Sequence, residues 1–469
     1  MALNYVENRL FGEISVGDHA SLVRTLRPED ISLFAVVSGD VNPAHLDADY
    51  AATDIFHGVV AHGMWGGSLI SAVLGTELPG PGTIYLGQTL KFVHPIRVGD
   101  TIKASVTVRS KDEARSRLVL DCRCENQAGE AVILGEAEVI APTKKVRVPR
   151  VLLPEVHLHE RAAHYARLLE AARGAPPIRT AVVHPCDALS IRGALDAAEE
   201  GLIVPVLVGP RAKIEAAAKQ AGISLGAFEL VEAPHSHAAA TAAVALARSG
   251  KVQALMKGAL HTDEVMGAAV AREGGLRTER RMSHVFAFDV PNYRKPLFIT
   301  DAAVNIVPTL EEKRDIIQNA IDLCRALGIS EPKVAILSAV ETISPKLGST
   351  VDAAALCKMA ARGQITGGLL EGPLAFDNAV SREAAATKGI VSAVAGDADI
   401  LVVPDLEAGN MLAKQLIYLA GADAAGLILG ARVPIILTSR ADSLEARMAS
   451  CALAKIFVQR QIEPLKLEV

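Results

Sequence analysis

Residues 38–47 read S-G-D-V-N-P-A-H-L-D and place a carboxylate, Asp40, and an imidazole, His45, on one short segment punctuated by Gly39, Asn42 and Pro43. Downstream, His62-Gly63 opens an almost wholly apolar stretch. Adding water across the double bond of an enoyl thioester requires such a set. Water must be deprotonated as it attacks the β-carbon, a proton must reach the α-carbon, and charge accumulating on the thioester oxygen needs a donor. Asp40 and His45 supply the two proton-handling groups, and the Gly63 N–H, at the positive end of a buried helix, supplies the donor. Asp47, just before Ala48-Asp49-Tyr50, reads better as a helix cap. His62 reads as structural, while His57 and His94 stay open between packing and chemistry.

The remaining two thirds of the chain carries different polar groups. Lys257-Gly258 and His261-Thr262, Asp301 and Asn305, Ser338 and Glu341, Asp405, and Ser439-Arg440 each follow closely on an apolar run. In open α/β sheets ligands gather at the carboxyl ends of strands, so these residues are candidates for a second site. Asp301/Asn305 and Asp405/Asn410 read equally as turn and cap formers. No G-x-G-x-x-G opens a helix after a strand and no G-x-x-x-x-G-K-[ST] occurs, so dinucleotide and P-loop readings lack support.

These groups need elements to hold them. At 469 residues the chain exceeds what one core usually supports, which predicts two or three domains. Half the residues are hydrophobic but only 4% are aromatic. Apolar volume therefore comes from Ala, Val, Leu and Ile, as in α/β layers, and disorder or a β-sandwich is disfavoured. A net charge of −5 provides no field to draw nucleic acid or an anionic membrane. Residues 1–10 lack the basic-then-apolar pattern of a signal peptide, and the run from Gly426 to Thr438 is broken by Gly430, Arg432 and Pro434. That is well short of the ~20 residues of a membrane span, so a soluble cytoplasmic protein is expected. Six scattered cysteines without C-x-x-C pairing read as buried thiols, with no metal.

Along the first section, Ile31, Phe34 and Val37 suit a short amphipathic helix over 30–39. Residues 59–74 suit a helix buried on most sides. Strand-like runs cover 83–93, 101–109, 118–126 and 131–140, the last two joined by the hairpin connection Gln127-Ala-Gly-Glu130. An antiparallel sheet curled around one helix is the α+β hotdog architecture. Residues 144–158, with their prolines and cations, read as a linker between domains 1–143 and 159–469. After a helix-like stretch over 160–173, apolar runs at 180–183, 204–208, 252–256, 296–300, 333–337, 399–403 and 433–437 alternate with Ala-rich helical segments. This predicts layered α/β structure with a largely parallel sheet.

The first section resembles the MaoC-like (R)-specific enoyl-CoA hydratases. The resemblance rests on S-G-D-V-N-P-A-H-L-D, then V-A-H-G-M at 60–64, then the segment from Gln88 to Asp100. It implies that Asp40 and His45 form the water-activating dyad, that Asn42 braces the loop, that Gly63 donates to the thioester oxygen, and that the product is the R enantiomer. The second section resembles the phosphate acetyl/butyryltransferases. Its matching stretches are M-K-G-A-L-H-T-D at 256–263, I-T-D-A-A-V-N-I-V-P at 299–308, G-P-L-A-F-D-N-A-V-S at 372–381, V-P-D-L-E-A-G-N at 403–410 and L-T-S-R-A-D-S at 437–443.

This second resemblance implies a three-layer fold like that of isocitrate and isopropylmalate dehydrogenases, in two lobes. It also implies acyl exchange between CoA sulfur and inorganic phosphate. Ser439 would stabilise the oxyanion or leaving sulfur, and Arg440 would grip phosphate in a bidentate fork. The acetyl members carry an aspartate seven residues after that serine, where this chain has Ala446. The thiol base is therefore open among Glu445, Asp442 and Asp377. Lys257 and His261 are candidate ligand contacts. Arg277, Arg280 and Arg281 are either a second phosphate cluster or a solvated charge run. The expectation is a bifunctional homo-oligomer acting on CoA thioesters and phosphate without a tightly bound cofactor. The alternative is an active hydratase fused to a non-catalytic acyl-CoA sensor.

Overall fold

The computed structural model describes residues 5–153, 156, 163–226, 228–437 and 443–462. It divides into two compact units, Met1–His159 and Glu160–Val469.

In the first unit five antiparallel strands follow the order His19–Thr25, Thr101–Asp112, Arg117–Glu125, Ala131–Ile140, Ile84–Phe92. Alternation fixes which side packs: Ile102, Ala104, Val106 and Val108, then Leu118, Leu120, Cys122 and Cys124, are buried while their neighbours are not. They enclose the helix Gly63–Thr76, which buries Trp65, Leu69, Ile70, Val73 and Leu74. Helix and sheet approach closely at Gly66, where a Cβ would lie 2.4 Å from Ile133 Cδ1. This is the hotdog fold.

Two features differ from the sequence reading. The strand His19–Thr25 was not anticipated, because it is an edge strand with almost no buried residue and hence no clean hydrophobic alternation. The stretch read as linker carries a short strand, Arg147–Pro149, paired antiparallel with Tyr5–Glu7. Nearby, Lys145 Nζ donates to the Asn8 carbonyl at 2.8 Å, and buried Asn8 accepts from the Val146 N–H at 2.9 Å. Main-chain pairing and polar bonds hold this segment, and neither leaves a hydrophobic period to read.

The second unit is built on one eleven-stranded sheet with helices on both faces. One parallel block comprises Glu229–Glu232, Ile203–Gly209, Ile178–Val183, Ala254–Lys257 and Ile435–Ile436. The other comprises Leu297–Thr300, Ile400–Val402, Lys333–Leu337 and Leu369–Leu374. Between them lie Asp423–Leu429 and Ser283–Asp289, and the three antiparallel steps they create reverse the second block relative to the first. On one face a continuous core runs from Ile178 and Val182 through Val285 and Leu427 to Ile336 and Val402. On the other the core is split: Val183, Val208 and Ile435 belong to one cluster, and Ile299, Leu337 and Leu401 to another. Among the described residues no helix is long and apolar enough to cross a membrane.

Candidate active sites

In the first unit the helix Pro28–Ser38 ends on Gly39 at φ 75°, a left-handed conformation that glycine adopts without strain, and the chain turns into the acid–base loop. Asp40 accepts from the Asn42 N–H at 3.2 Å. Asn42 in turn caps the short helix Pro43–Leu46, accepting from the Ala44 N–H at 3.2 Å. Asp47 caps the next helix, Ala48–Thr53, through the N–H groups of Asp49 and Tyr50. One cap after another thus pins a segment too short to hold itself.

His45 Nδ1 lies 2.8 Å from the Val60 carbonyl oxygen. That oxygen can only accept, so Nδ1 carries a proton, and in the neutral ring Nε2 keeps the lone pair. His62, 2% exposed, stacks on His45 with ring centroids 4.0 Å apart. Its Nε2 lies 3.0 Å from the Asp40 main-chain oxygen and so donates to it. One polar side-chain atom from each of Asp40, His45 and His62 lies within 4.8 Å of the other two. Gly63 begins the central helix with its surface exposed. A Cβ there would come 2.9 Å from Phe92 Cε1, so the ring crowds the place a side chain would take. A carboxylate, an imidazole oriented by the Val60 carbonyl, and the exposed start of a helix therefore lie close together in the sequence and fold.

In the second unit a cavity of about 670 Å3 opens where the face is split. Lys257 and Leu437, at the carboxyl ends of the first block, line it together with Ser443, Phe286 and Ala424. His261, which precedes the helix Thr262–Val270, and Asn410, which donates to the Ala302 carbonyl at 3.2 Å, line it as well. Ser439, Arg440 and Asp442 lie outside the described residues, but the segment that holds them starts after Leu437 and ends before Ser443, both on this cavity.

Other candidates sit elsewhere. Asp301 is buried, and its carboxylate accepts from the N–H groups of Ala303, Val304 and Asn305 and from Asn305 Nδ2. Burial raises its pKa against those bonds. Arg281 donates to Asn305 Oδ1 at 2.6 Å and pairs with Glu312 at 3.1 Å, and Arg280 pairs with Asp322. Arg281 thus braces the 301–305 turn through Asn305. Asp405 caps the helix Leu406–Tyr418 through the Ala408 N–H. Arg277 and Asp377 are exposed and do not line the cavity. Glu445 lines a different space, of about 1,050 Å3, whose wall it shares with Ala446. Bonds from its own N–H and from the Ser443 hydroxyl hold its carboxyl below the usual range. One cavity residue the sequence reading missed is His284, on the strand Ser283–Asp289. Its only sequence signal was a polar residue inside an otherwise apolar run.

The two folds and their sites define a chain that joins a MaoC-like hotdog unit to a phosphotransacylase-like α/β unit. Residues 16–123 match the family model described as a MaoC like domain, and residues 234–455 match that described as phosphate acetyl/butaryl transferase. A phosphate acetyltransferase from Rhizobium meliloti is 64% identical over 297 residues, covering 63% of this chain and 94% of the relative. A branched-chain phosphotransacylase from Enterococcus faecalis V583 has a crystal structure 31% identical in sequence. Its TM-score is 0.53, over 60% of this chain and 99% of that one. The unliganded R-hydratase PhaJ1 from Pseudomonas aeruginosa is 46% identical, over 33% of this chain and 99% of that one, with a TM-score of 0.32. The chain belongs to the phosphate acetyl/butyryl transferase family and carries a MaoC-like domain ahead of it.

Proposed function

We propose that the chain is a bifunctional enzyme of short-chain acyl-CoA metabolism. Its hotdog unit hydrates enoyl-CoA to (R)-3-hydroxyacyl-CoA, and its α/β unit exchanges an acyl group between CoA and inorganic phosphate. The observation that carries this reading is that Asp40, His45 and His62 cluster just before the helix that begins at Gly63 in one unit, while Lys257, His261, Asn410 and Leu437 line a separate cavity in the other.

In hydration, Asp40 and the lone-pair nitrogen of His45 hold water and take its proton as oxygen bonds the β-carbon. The Gly63 N–H receives the charge on the thioester oxygen, and the dyad returns a proton to the α-carbon. Asn42 keeps the loop in register. In transfer, a phosphate oxygen adds to the thioester carbonyl, the oxyanion collapses, and the C–S bond breaks. Ser439 serves the oxyanion or sulfur, Arg440 grips phosphate, and Lys257, His261 and Asn410 contact the ligand. The thiol base is Asp442, Glu445 or Asp377, and of these Glu445 is a weakened proton acceptor, its carboxyl held below the usual range. Arg277 is the remaining phosphate candidate. Asp301, Asn305, Arg281 and Asp405 are supporting residues.

The functional boundaries are 1–143 and 159–469 joined by 144–158. The α/β unit is an isocitrate/isopropylmalate dehydrogenase-like three-layer fold in two lobes. The enzyme is a cytoplasmic homo-oligomer with no tightly bound cofactor. Two assays on the purified full chain test the proposal: loss of enoyl absorbance from crotonyl-CoA with chiral analysis of the product, and phosphate-dependent release of thiol from acetyl-CoA and butyryl-CoA. Hydration without any phosphate-dependent thiol release would leave the α/β unit as a sensor.

A further inference from the structure

The transferase cavity holds a histidine to which the proposed chemistry assigns nothing. His284 is 1% exposed yet contributes to the cavity wall beside Lys257 and Leu437. Its Nδ1 is buried with no hydrogen-bond partner among the described residues, and its ring packs edge-on against Phe286 at a centroid distance of 4.3 Å. An unpaired polar atom in a dry interior is a net cost to folding, so one that persists calls for an explanation.

The chain keeps space for this ring. Gly426, on the adjacent strand, would bring a Cβ to 2.6 Å from His284 Nε2 and 3.3 Å from the Leu437 carbonyl oxygen. The bare glycine, Nε2 and the last described residue before 438–442 thus meet at one point. Burial pushes the imidazole pKa down to about 3, so the ring is neutral across any physiological pH. Such a ring cannot take a proton from a thiol near neutrality, but its N–H remains a hydrogen-bond donor.

Resting on the transferase reading, we propose that His284 is a further catalytic residue of acyl transfer, donating its Nε2–H to the acyl carbonyl oxygen as that oxygen becomes an oxyanion. A phosphate oxygen forms the C–O bond, the carbonyl electron pair moves onto oxygen under His284, and the pair returns as the C–S bond breaks and CoA leaves. His284 keeps its proton throughout. A preorganised donor needs no reorganisation at the moment of reaction, and loss of one such donor typically lowers kcat by about 10²–10³.

The test uses the full chain with His284→Leu, which matches the ring's volume without a donor, and His284→Gln, which restores one. Butyryl-CoA and phosphate are the substrates, with kcat and KM followed from pH 5.5 to 8.5 and thermal unfolding recorded alongside. The expected result is a kcat about 10²–10³ lower for His284→Leu, with KM for butyryl-CoA within about threefold. His284→Gln recovers at least about tenfold of that loss, and its pH profile has the wild-type shape. Wild-type kcat in His284→Leu overturns the inference. So does a loss that Gln does not recover and that tracks a lowered melting temperature, or an acid limb near pH 6–7 that disappears in His284→Gln. If wild-type protein releases no thiol with phosphate, the transferase reading itself fails and the inference with it.

Discussion

Replacing Asp40 with Asn exchanges the carboxylate for an amide of nearly the same shape and isolates the chemical role of the charge. The surroundings predict little structural cost. The main-chain bonds of Asp40, from its N–H to Ser38 Oγ at 3.2 Å and from His62 Nε2 to its carbonyl at 3.0 Å, do not involve the substituted group. The amide oxygen can still accept the Asn42 N–H that Asp40 Oδ1 accepts at 3.2 Å. The side chain is exposed, so stability should move by less than about 0.5 kcal/mol. Removing a general base typically costs about 10²–10⁴ in rate, or about 3–5 kcal/mol of transition-state stabilisation. Hydration of crotonyl-CoA should therefore fall at least about 10²-fold in kcat with KM within a few-fold, while melting and phosphate-dependent thiol release stay at wild-type values. The double variant Asp40→Asn/His45→Gln should lose little beyond the worse single, because both groups act on one water. Hydration above a tenth of wild type would refute Asp40 as the base, and loss of both activities together would refute the separation of the two sites.

Gly63→Ala places a methyl 2.9 Å from Phe92 Cε1, but that ring is half exposed and can swing away. Circular dichroism melts should show a loss under about 1 kcal/mol, while hydration falls about 10- to 100-fold because the helix N–H and the acyl path are displaced. Asp397, buried among Lys333 at 2.6 Å, Lys295 at 3.0 Å, Arg382 at 3.1 Å and Arg294, is a charge hub of the α/β unit. Desolvation by burial works to raise its pKa, but the bonds from Lys333, Lys295 and Arg294 outweigh it and hold the carboxyl well below the usual range. Its stabilisation is therefore present above the unfolded carboxylate pKa of about 4 and lost as pH falls from there toward the folded value. Asp397→Asn should cost on the order of 2–4 kcal/mol at pH 7, with the gap to wild type closing below about pH 4 in denaturant titrations. Burial pushes the thiols of Cys122 and Cys186 up to about 11 and those of Cys124, Cys357 and Cys451 to about 12. At pH 8 a disulfide reagent should label fewer than about one thiol per native chain within minutes and all six after denaturation, and rapid labelling of native protein would contradict this burial.

What was legible in the sequence follows from distance along the chain. Asp40, Asn42 and His45 lie within six residues, so their convergence needs only a capped loop, and the periodicities of the central helix and four strands could be counted directly. The proton arrangement of His45 could not be counted, because it is set by the Val60 carbonyl. In the α/β unit the strand-end rule brought Lys257 and His261 to the cavity. It sent Asp301, Asn305 and Asp405 into turn and cap bonds, although Ala303 and Asn410, which follow strands of the reversed second block, line the same cavity. The reversal depends on Ser283–Asp289 and Asp423–Leu429, neither of which was read as a strand. Ser283, His284 and Asp289 interrupt the first with polar groups, and Gly426 interrupts the second with a residue that strands disfavour. Both interruptions weaken the local strand signal, and both stand where the cavity meets the sheet. A buried polar ring and a bare glycine beside it are poor choices for a sheet interior, so a fold that retains them together departs from local preference where a substrate would be handled.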